Sequence, residues 1–117
     1  MNPLKKRIKS FEYAFKGILI LFKTQPNAII HLCAAVSVVV LGIVYSVSLV
    51  EWLFLVFSIA LVMVAEAINS SIEFLGDAVS REENEWIGKS KDLGAGAVLL
   101  AAIFATIVGL IIFLPKF

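Results

Sequence analysis

The sequence predicts an all-α membrane protein, with an N-terminal amphipathic surface helix and three transmembrane helices that form an oligomeric bundle. Of its 117 residues, 61% are hydrophobic and 16% are charged, and the mean hydropathy of +1.00 is far above that of soluble domains. Apolar stretches long enough to cross a bilayer alternate with short polar segments. The length suits one domain over residues 1–117, and the net charge of +1 gives no basis for binding nucleic acid.

Residues 3–24 predict a helix that lies in the membrane surface. Apolar side chains recur at spacings of three and four residues, as in Leu4, Ile8 and Phe11, while lysines occupy the other faces. Such a helix buries its apolar face at the acyl boundary and directs its lysines toward anionic headgroups. Packing of the apolar face on the protein's own core is the alternative. The helix is expected to end at the TQPN segment, because Pro26 lacks a backbone donor and restricts the preceding residue.

Three transmembrane helices are predicted after this segment, at about residues 28–47, 49–79 and 92–114. The first contains no Asp, Glu, Lys or Arg, and about 20 such residues cross a hydrocarbon layer of roughly 30 Å. The second is expected to begin at Ser48, because SLVE forms a capping box in which Ser48 and Glu51 each bond the other's backbone. The third is expected to begin near Asp92, a plausible cap, and to stop at Pro115. A polar loop at 80–91 joins the last two.

The basic residues predict the orientation of these spans. Six of the ten Lys and Arg residues precede the first span, three lie within 80–91, and Lys116 is the last. Lysine and arginine collect on the cytoplasmic side of membrane proteins. The N-terminus and the 80–91 loop are therefore expected in the cytoplasm, and the chain is expected to be a multi-pass protein of a bacterial inner (cytoplasmic) membrane.

A stripe of polar side chains runs along the second span, which otherwise consists mainly of apolar residues. At about 100° of rotation per residue, its members share roughly a 100° arc: Glu66, Asn69, Ser70, Glu73 and Asp77. A carboxylate inside a membrane is costly and usually faces a partner, an ion or a cavity. Hydrogen bonding between helices of a bundle is the alternative. Because three carboxylates on one face repel one another, a bound cation explains them better. We refer to these five residues as the polar stripe.

The rise of the helix places the two glutamates at different depths. At about 1.5 Å per residue, Glu66 lies roughly 21 Å and Glu73 about 31 Å from Trp52 at the outer interface. Since the hydrocarbon layer is about 30 Å thick, Glu73 is expected at its cytoplasmic edge. The stripe therefore approaches the side of the membrane where ATP is present.

The segment GKSKD at 88–92 does not predict a P-loop, although it contains Gly-Lys-Ser. A P-loop requires a glycine five residues before this triplet, where the chain has Glu83, and it requires a preceding strand. Lys89 and Lys91 can nevertheless meet phosphate oxygens at the cytoplasmic ends of two helices. Their use as positive membrane anchors is the alternative.

Two strings in this region resemble the signature of the prokaryotic diacylglycerol kinase family, which includes undecaprenol kinases. EAINSSIE at 66–73 is followed by Asp77, and KDLGAGAVLL stands at 91–100. The resemblance covers nearly the whole chain. It implies transfer of the γ-phosphoryl group of MgATP to a membrane lipid alcohol at the cytoplasmic face, either diacylglycerol or undecaprenol. It also implies a homotrimer with active sites between subunits.

The resemblance assigns roles to individual residues. Glu66 corresponds to the general base, Glu73 to a Mg²⁺ ligand, and Asn69 and Asp77 to supporting polar positions. The nucleotide-binding positions that the resemblance implies are Glu73 again and Lys6, Tyr13, Glu82, Glu83, Asn84, Lys91 and Asp92. The family has a second metal-ligating glutamate just before the first span. This chain has Gln25 there, whose amide oxygen can bind Mg²⁺ but brings no charge.

Oligomerisation also has a basis in the third span. Small residues recur every four positions and allow close approach of helices: Ala97, Ala101, Ala105 and Gly109. Three helices alone would leave the polar stripe facing lipid, so further copies of the chain are expected to cover it.

The alternative function is that of a non-enzymatic small oligomeric membrane protein, a channel or an exporter, in which Glu66 and Glu73 bind an ion. A small exporter would need four spans with an acid in the first, whereas this sequence has three and its acids in the second. A channel would not need a Lys-Asp pair beside the acids. His31 and Cys33 are predicted to be packing residues, because isolated ligands make a weak metal site.

Overall fold

The protein is described over residues 2–117 by a computed structural model, which contains four α-helices and, in that range, no strand. The helices are α1 (Pro3–Thr24), α2 (Pro26–Val44), α3 (Leu49–Val79) and α4 (Glu85–Phe113), followed by a 3-10 turn at Leu114–Lys116. Three of them, α2, α3 and α4, are long and apolar enough to cross a membrane. The predicted all-α membrane class is confirmed, with one N-terminal helix and three spans.

Helix α1 covers the predicted residues 3–24. Asn2 caps it, since its Oδ1 accepts from Lys5 N–H at 2.8 Å, and Pro3 occupies the first helical position. The helix contacts α2 and α3, yet residues 2–20 are exposed and Leu21 is its buried residue. The apolar face is therefore not covered by the chain's own core, which favours the surface-helix interpretation over the alternative.

The first span starts and ends earlier than the predicted range of 28–47. Pro26 begins α2, in the position where a missing N–H costs nothing. At the other end, Ser46 adopts a left-handed backbone with a φ of 51°, and Val47 N–H donates to Gly42 O at 3.1 Å. This bond closes the helix in a Schellman motif, which overrides the apolar character of the residues that follow.

The capping box predicted at the start of α3 is confirmed. Glu51 N–H donates to Ser48 Oγ at 3.2 Å, and Ser48 N–H donates to Glu51 Oε1 at 3.0 Å. Lys116 Nζ lies 3.0 Å from Glu51 Oε2, which ties the C-terminal end of the chain to the start of α3. With 31 residues at about 1.5 Å of rise each, α3 is longer than a hydrocarbon layer of about 30 Å.

The prediction that the third transmembrane helix begins near Asp92 is wrong as to the start of the helix. Helix α4 begins at Glu85, and Asn84 is its N-cap. The predicted loop at 80–91 is therefore reduced to residues 80–84 between α3 and α4. Asp92 lies within the helix and is exposed.

The local chemistry of residues 84–89 explains the earlier start. Asn84 Oδ1 accepts from the N–H groups of Trp86 and Ile87, at 2.9 and 3.2 Å, and so satisfies two of the free donors at the helix end. Glu85 and Lys89 form an ion pair of 3.1 Å on the helix surface. The apolar pattern marks where the membrane segment begins, while these polar residues begin the helix before it.

The three spans pack as an antiparallel set in which α3 contacts both α2 and α4. Gly42 of α2 lies under the ring of Trp52, where a Cβ atom would come within 2.5 Å of the ring. A small cluster of buried residues lies at this end: Val47, Leu55, Ile112 and Phe113. Only 11–17% of the residues in the apolar windows of the spans are buried, so most of their surface is left for lipid or further copies.

The small residues of α4 serve partly inside the chain. Ala101 is buried at 4% exposure, Ala105 and Gly109 are half-buried, and Ala97 is exposed. These small residues therefore contribute to packing within one chain, whereas the sequence predicted them only as a surface for contact between copies.

Candidate active site

The polar stripe of α3 becomes less buried along its length. The Glu66 side chain is 2% exposed, whereas those of Glu73 and Asp77 are 42% and 45% exposed. Ser70 is also buried, but its hydroxyl donates to the Glu66 backbone oxygen at 2.9 Å, so its bonding is satisfied within the helix. The stripe thus presents two environments, a buried end around Glu66 and an accessible end near the loop at 80–84.

At the accessible end, α4 contributes a lysine to the acids of α3. Lys91 Nζ lies 2.6 Å from Asp77 Oδ1 and 3.7 Å from Glu73 Oε2. Gly76 allows this approach, because a Cβ atom there would lie 3.1 Å from Lys91 Cε and 3.0 Å from Ile87 Cγ2. We call Glu73, Asp77 and Lys91 the Lys91 cluster. Its two carboxylates and one ammonium leave it with one excess negative charge.

An open cavity of about 610 Å³ adjoins the Lys91 cluster. That volume is within the usual range for small-molecule sites. The cavity is lined by Asp77 of α3, by Glu85 and Lys91 of α4 and, from the connecting segment, by Ser80, Arg81, Glu82, Glu83 and Asn84. The structure thus brings three predicted nucleotide-binding positions of the loop beside the cluster, although the Asn84 side-chain oxygen is engaged in capping α4.

At the buried end, Glu66 faces α2. Its Oε2 atom is buried without a hydrogen-bond partner, and His31 Nε2 lies 3.6 Å away. The prediction that His31 is only a packing residue is therefore incomplete, since its imidazole faces a buried carboxylate. The sequence offers one indication of this contact, because two neighbouring spans each carry an ionisable side chain, His31 in α2 and Glu66 in α3. Their mutual distance could not be read from either span alone.

Asn69 lies one turn from Glu66 and is held close to α4. Its Oδ1 atom is also buried without a hydrogen-bond partner. Gly94 makes room for it, because a Cβ atom at that position would come within 2.4 Å of Asn69 Oδ1. Gly94 was not among the predicted site residues, although it belongs to the KDLGAGAVLL string. Two buried oxygen acceptors one turn apart, each able to take a donor or a cation, distinguish this end of the stripe.

Other predicted residues lie elsewhere on the chain. Lys6 and Tyr13 are on the exposed part of α1, and over residues 2–117 no ion pair or side-chain hydrogen bond joins either of them to the Lys91 cluster. Asp92 lies on another surface of α4, beside Lys89 and Leu93. Side-chain contacts within one chain thus do not join all of the predicted nucleotide-binding positions, and their roles remain predictions.

The metal-binding expectation rests on Glu73 and Gln25. Within residues 2–117, no three His, Cys, Asp or Glu side chains come together as a metal site. Mg²⁺ commonly takes only one or two carboxylates and completes its shell with water and substrate phosphates. The accessible carboxylate of Glu73 fits such a site, because it lies 3.7 Å from Lys91, which lines the open cavity. Gln25 lies at the junction of α1 and α2, where its amide nitrogen donates to Thr24 Oγ1 at 3.2 Å.

Comparisons with known proteins match nearly the whole chain. The sequence model of the family described as prokaryotic diacylglycerol kinase matches residues 12–113. The chain is similar to undecaprenol kinase of Bacillus subtilis (strain 168), with 34% identity over 98% of this chain and 94% of that protein. It is also similar to diacylglycerol kinase of Synechocystis sp., with 37% identity over 97% of this chain and 70% of that protein. Diacylglycerol kinase of Escherichia coli (strain K12) is 33% identical over 86% of this chain and 82% of that protein.

Proposed function

The chain belongs to the prokaryotic diacylglycerol kinase family, so it is a lipid kinase, and we propose that it transfers the γ-phosphoryl group of ATP to a membrane lipid alcohol at the cytoplasmic face. The acceptor is the hydroxyl group of diacylglycerol or of undecaprenol, the lipids named for its relatives. The products would be phosphatidic acid or undecaprenyl phosphate, together with ADP.

One observation carries this proposal: a single helix face joins a buried carboxylate to a charged, accessible cluster. Glu66 is 2% exposed and Glu73 is 42% exposed, and seven residues, or about 10.5 Å of helix rise, separate them. A lipid hydroxyl reaches the reaction from the membrane and ATP reaches it from water. A kinase that acts on a lipid and on ATP therefore needs a site with one end in the membrane and the other end accessible to water. The polar stripe has a buried end at Glu66 and an accessible end at the Lys91 cluster.

At the accessible end, Lys91 is the proposed phosphate ligand. Phosphoryl transfer requires mainly neutralisation of charge and in-line positioning of the reactants. Lys91 already lies beside the open cavity, paired with Asp77 at 2.6 Å, so phosphate oxygens would replace or share that contact. Glu82 and Glu83 border the same cavity and are proposed to contact the rest of the nucleotide.

Mg²⁺ is the proposed cofactor. Glu73 would hold it together with the ATP phosphates, and Gln25 is the second proposed ligand. When bound, the ion neutralises charge on the phosphates. The Lys91 cluster, with its one excess negative charge, suits a site that takes up a cation together with a nucleotide.

At the buried end, Glu66 is the proposed general base. As the acceptor oxygen attacks the γ-phosphorus atom, its hydroxyl proton passes to the Glu66 carboxylate and the bond from phosphorus to the ADP oxygen breaks. A positioned base contributes about 10²–10⁴-fold to such a step. Asn69, one turn away and also buried, is proposed to orient the reacting groups through its amide.

We propose a homotrimer with active sites between subunits, in the cytoplasmic membrane and with the N-terminus inside the cell. Lys6 and Tyr13 are exposed on α1, and Asp92 is exposed on α4 away from the Lys91 cluster. Active sites that take residues from two copies would let these exposed positions contact a nucleotide bound at a neighbouring Lys91 cluster. The sparse burial of the three spans supports the same arrangement.

The test is a transfer assay with purified protein in mixed micelles. Labelled ATP and Mg²⁺ are supplied, diacylglycerol and undecaprenol are offered separately, and Glu66→Gln protein serves as the matched control. We expect label in at least one lipid with wild-type protein and about 10²–10⁴-fold slower transfer with the variant. Transfer to neither lipid by an intact wild-type oligomer would contradict the proposed function.

A further inference from the structure

The position of His31 carries an inference that rests on the proposed function. The chain has a single histidine, and it lies on α2 with its Nε2 atom 3.6 Å from Glu66 Oε2. Its side chain is 22% exposed, whereas that of Glu66 is 2% exposed. A buried carboxylate oxygen without a donor is costly, and within residues 2–117 His31 is the one basic side chain within 4.0 Å of Glu66.

We propose that His31 is a positioning residue for Glu66. Its Nε2–H group donates a hydrogen bond to Glu66 Oε2, which fixes the carboxylate and leaves Oε1 to accept the proton of the lipid hydroxyl. The observed 3.6 Å is slightly longer than a hydrogen bond, and such contacts commonly tighten when the reactants bind. His31 itself neither gains nor loses a proton in this step.

The surroundings of the pair agree with this role. His31 borders an apolar cavity of about 160 Å³ between the three spans, with Ala34, Val62 and Ala105 in its lining. Lys91 is engaged by Asp77 and Glu73 at the other end of the stripe. The orientation of Glu66 therefore depends on α2, the helix that carries His31, and not on the lysine that serves the phosphates.

Kinetic variants test the proposal. His31→Leu removes the donor, and we expect kcat to fall by about 10²-fold, the usual effect of a misplaced catalytic group, with an unchanged KM for ATP. His31→Gln keeps an N–H donor near the same place, and we expect it to retain kcat within about threefold. In a Glu66→Gln background, His31→Leu should cause no further loss, because the two residues act as one unit.

A measurement that does not use activity separates this proposal from the proposed function. Protein labelled with ¹⁵N-histidine and purified through a tag without histidine gives ring nitrogen signals from His31 alone. We expect the Nε2 signal to shift in Glu66→Gln and to stay unchanged in Asp77→Asn, whose side chain lies at the other end of the stripe. A wild-type protein that shows this pattern without lipid phosphorylation would contradict the proposed function while keeping the His31–Glu66 contact.

Three results would contradict the proposed role of His31. Identical His31 signals in wild-type and Glu66→Gln protein would overturn the contact. If His31→Leu lowers kcat by the same factor in the wild-type and Glu66→Gln backgrounds, or if His31→Gln is as impaired as His31→Leu, His31 does not act by positioning Glu66.

Discussion

Glu66 and Glu73 lie on the same face of α3, two helical turns apart, yet their surroundings differ. Glu73 is 42% exposed and shares Lys91 with Asp77, while Glu66 is 2% exposed and has His31 at 3.6 Å as its nearest basic neighbour. The accessible end of the stripe is thus rich in charge and partly exposed, and the Glu66 side chain at the other end is almost fully buried. The same side chain is suited to a metal and phosphates in the first setting and to proton transfer in the second.

The largest expected effect concerns the side of the membrane on which the accessible end lies. In a Cys33→Ser background, Ser80→Cys places the only thiol at the end of α3, beside the open cavity. Because the basic residues cluster before the first span and around 80–91, an impermeant thiol reagent should label it only from the cytoplasmic side. Labelling of Ser80→Cys in sealed, right-side-out vesicles would place the Lys91 cluster outside the cell, where the accessible end of the stripe would not meet cytoplasmic ATP.

Removal of Lys91 tests whether the accessible end binds phosphate. Lys91→Met should lower kcat/KM for ATP by about 10²-fold, since hydrogen bonds to charged groups contribute about 1.5–3 kcal/mol. Lys116→Met is the matched control, because Lys116 pairs with a carboxylate at the opposite end of α3, 3.0 Å from Glu51 Oε2, and should change kcat/KM by less than about threefold. Equal effects of the two variants would mean that Lys91 serves only as a membrane anchor or as a counter-ion to Asp77.

The close contact of α4 with Asn69 gives a test at the buried end. Gly94→Ala would place a Cβ atom 2.4 Å from Asn69 Oδ1, and such overpacking destabilises a protein by about 1–3 kcal/mol. The thermal unfolding midpoint and kcat should both fall. Gly96→Ala is the control, since a Cβ atom there meets nothing within 4 Å. Similar unfolding midpoints for the two variants would contradict the packing described for Asn69.

The smallest expected effect concerns Gln25. If this residue faces the metal of an assembled site, Gln25→Glu adds a negative charge and should lower the Mg²⁺ concentration for half-maximal activity by about two- to tenfold. A titration of activity with Mg²⁺ at fixed ATP checks this. Gln25→Ala, the matched removal of the amide, should raise the same concentration. No change in either variant would place Gln25 away from the metal.

Features set by neighbours in the sequence could be predicted, and features set by contacts between helices could not. The Ser48–Glu51 capping box and the shared face of the polar stripe follow from spacings of three and four residues, and both agree with the structure. The predicted start of α4 at Asp92 is wrong, because the beginning of an apolar run marks where the membrane segment begins and not where the helix begins. Asn84 was a cap signal available in the sequence.

The missed contacts join residues that are far apart in the chain. His31 approaches Glu66, and Gly94 approaches Asn69, only because of how far α2 and α4 are shifted along α3. Hydrophobic periodicity gives the face of each helix but not this shift. The chemistry of Lys91 was enough to propose it as a phosphate ligand, while its pairing with Asp77 again depends on the position of α4 against α3.

The division of roles between the two glutamates is tested most directly by measuring nucleotide affinity and turnover on Glu66→Gln and Glu73→Gln, each checked for an intact oligomer by size exclusion. Glu66→Gln keeps size and hydrogen bonding but loses basicity, so MgATP binding should persist while transfer falls by about 10²–10⁴-fold. Glu73→Gln should weaken MgATP binding and make the remaining activity depend on higher Mg²⁺. Loss of nucleotide binding in Glu66→Gln with turnover retained at saturating ATP, or identical behaviour of the two variants, would contradict the account.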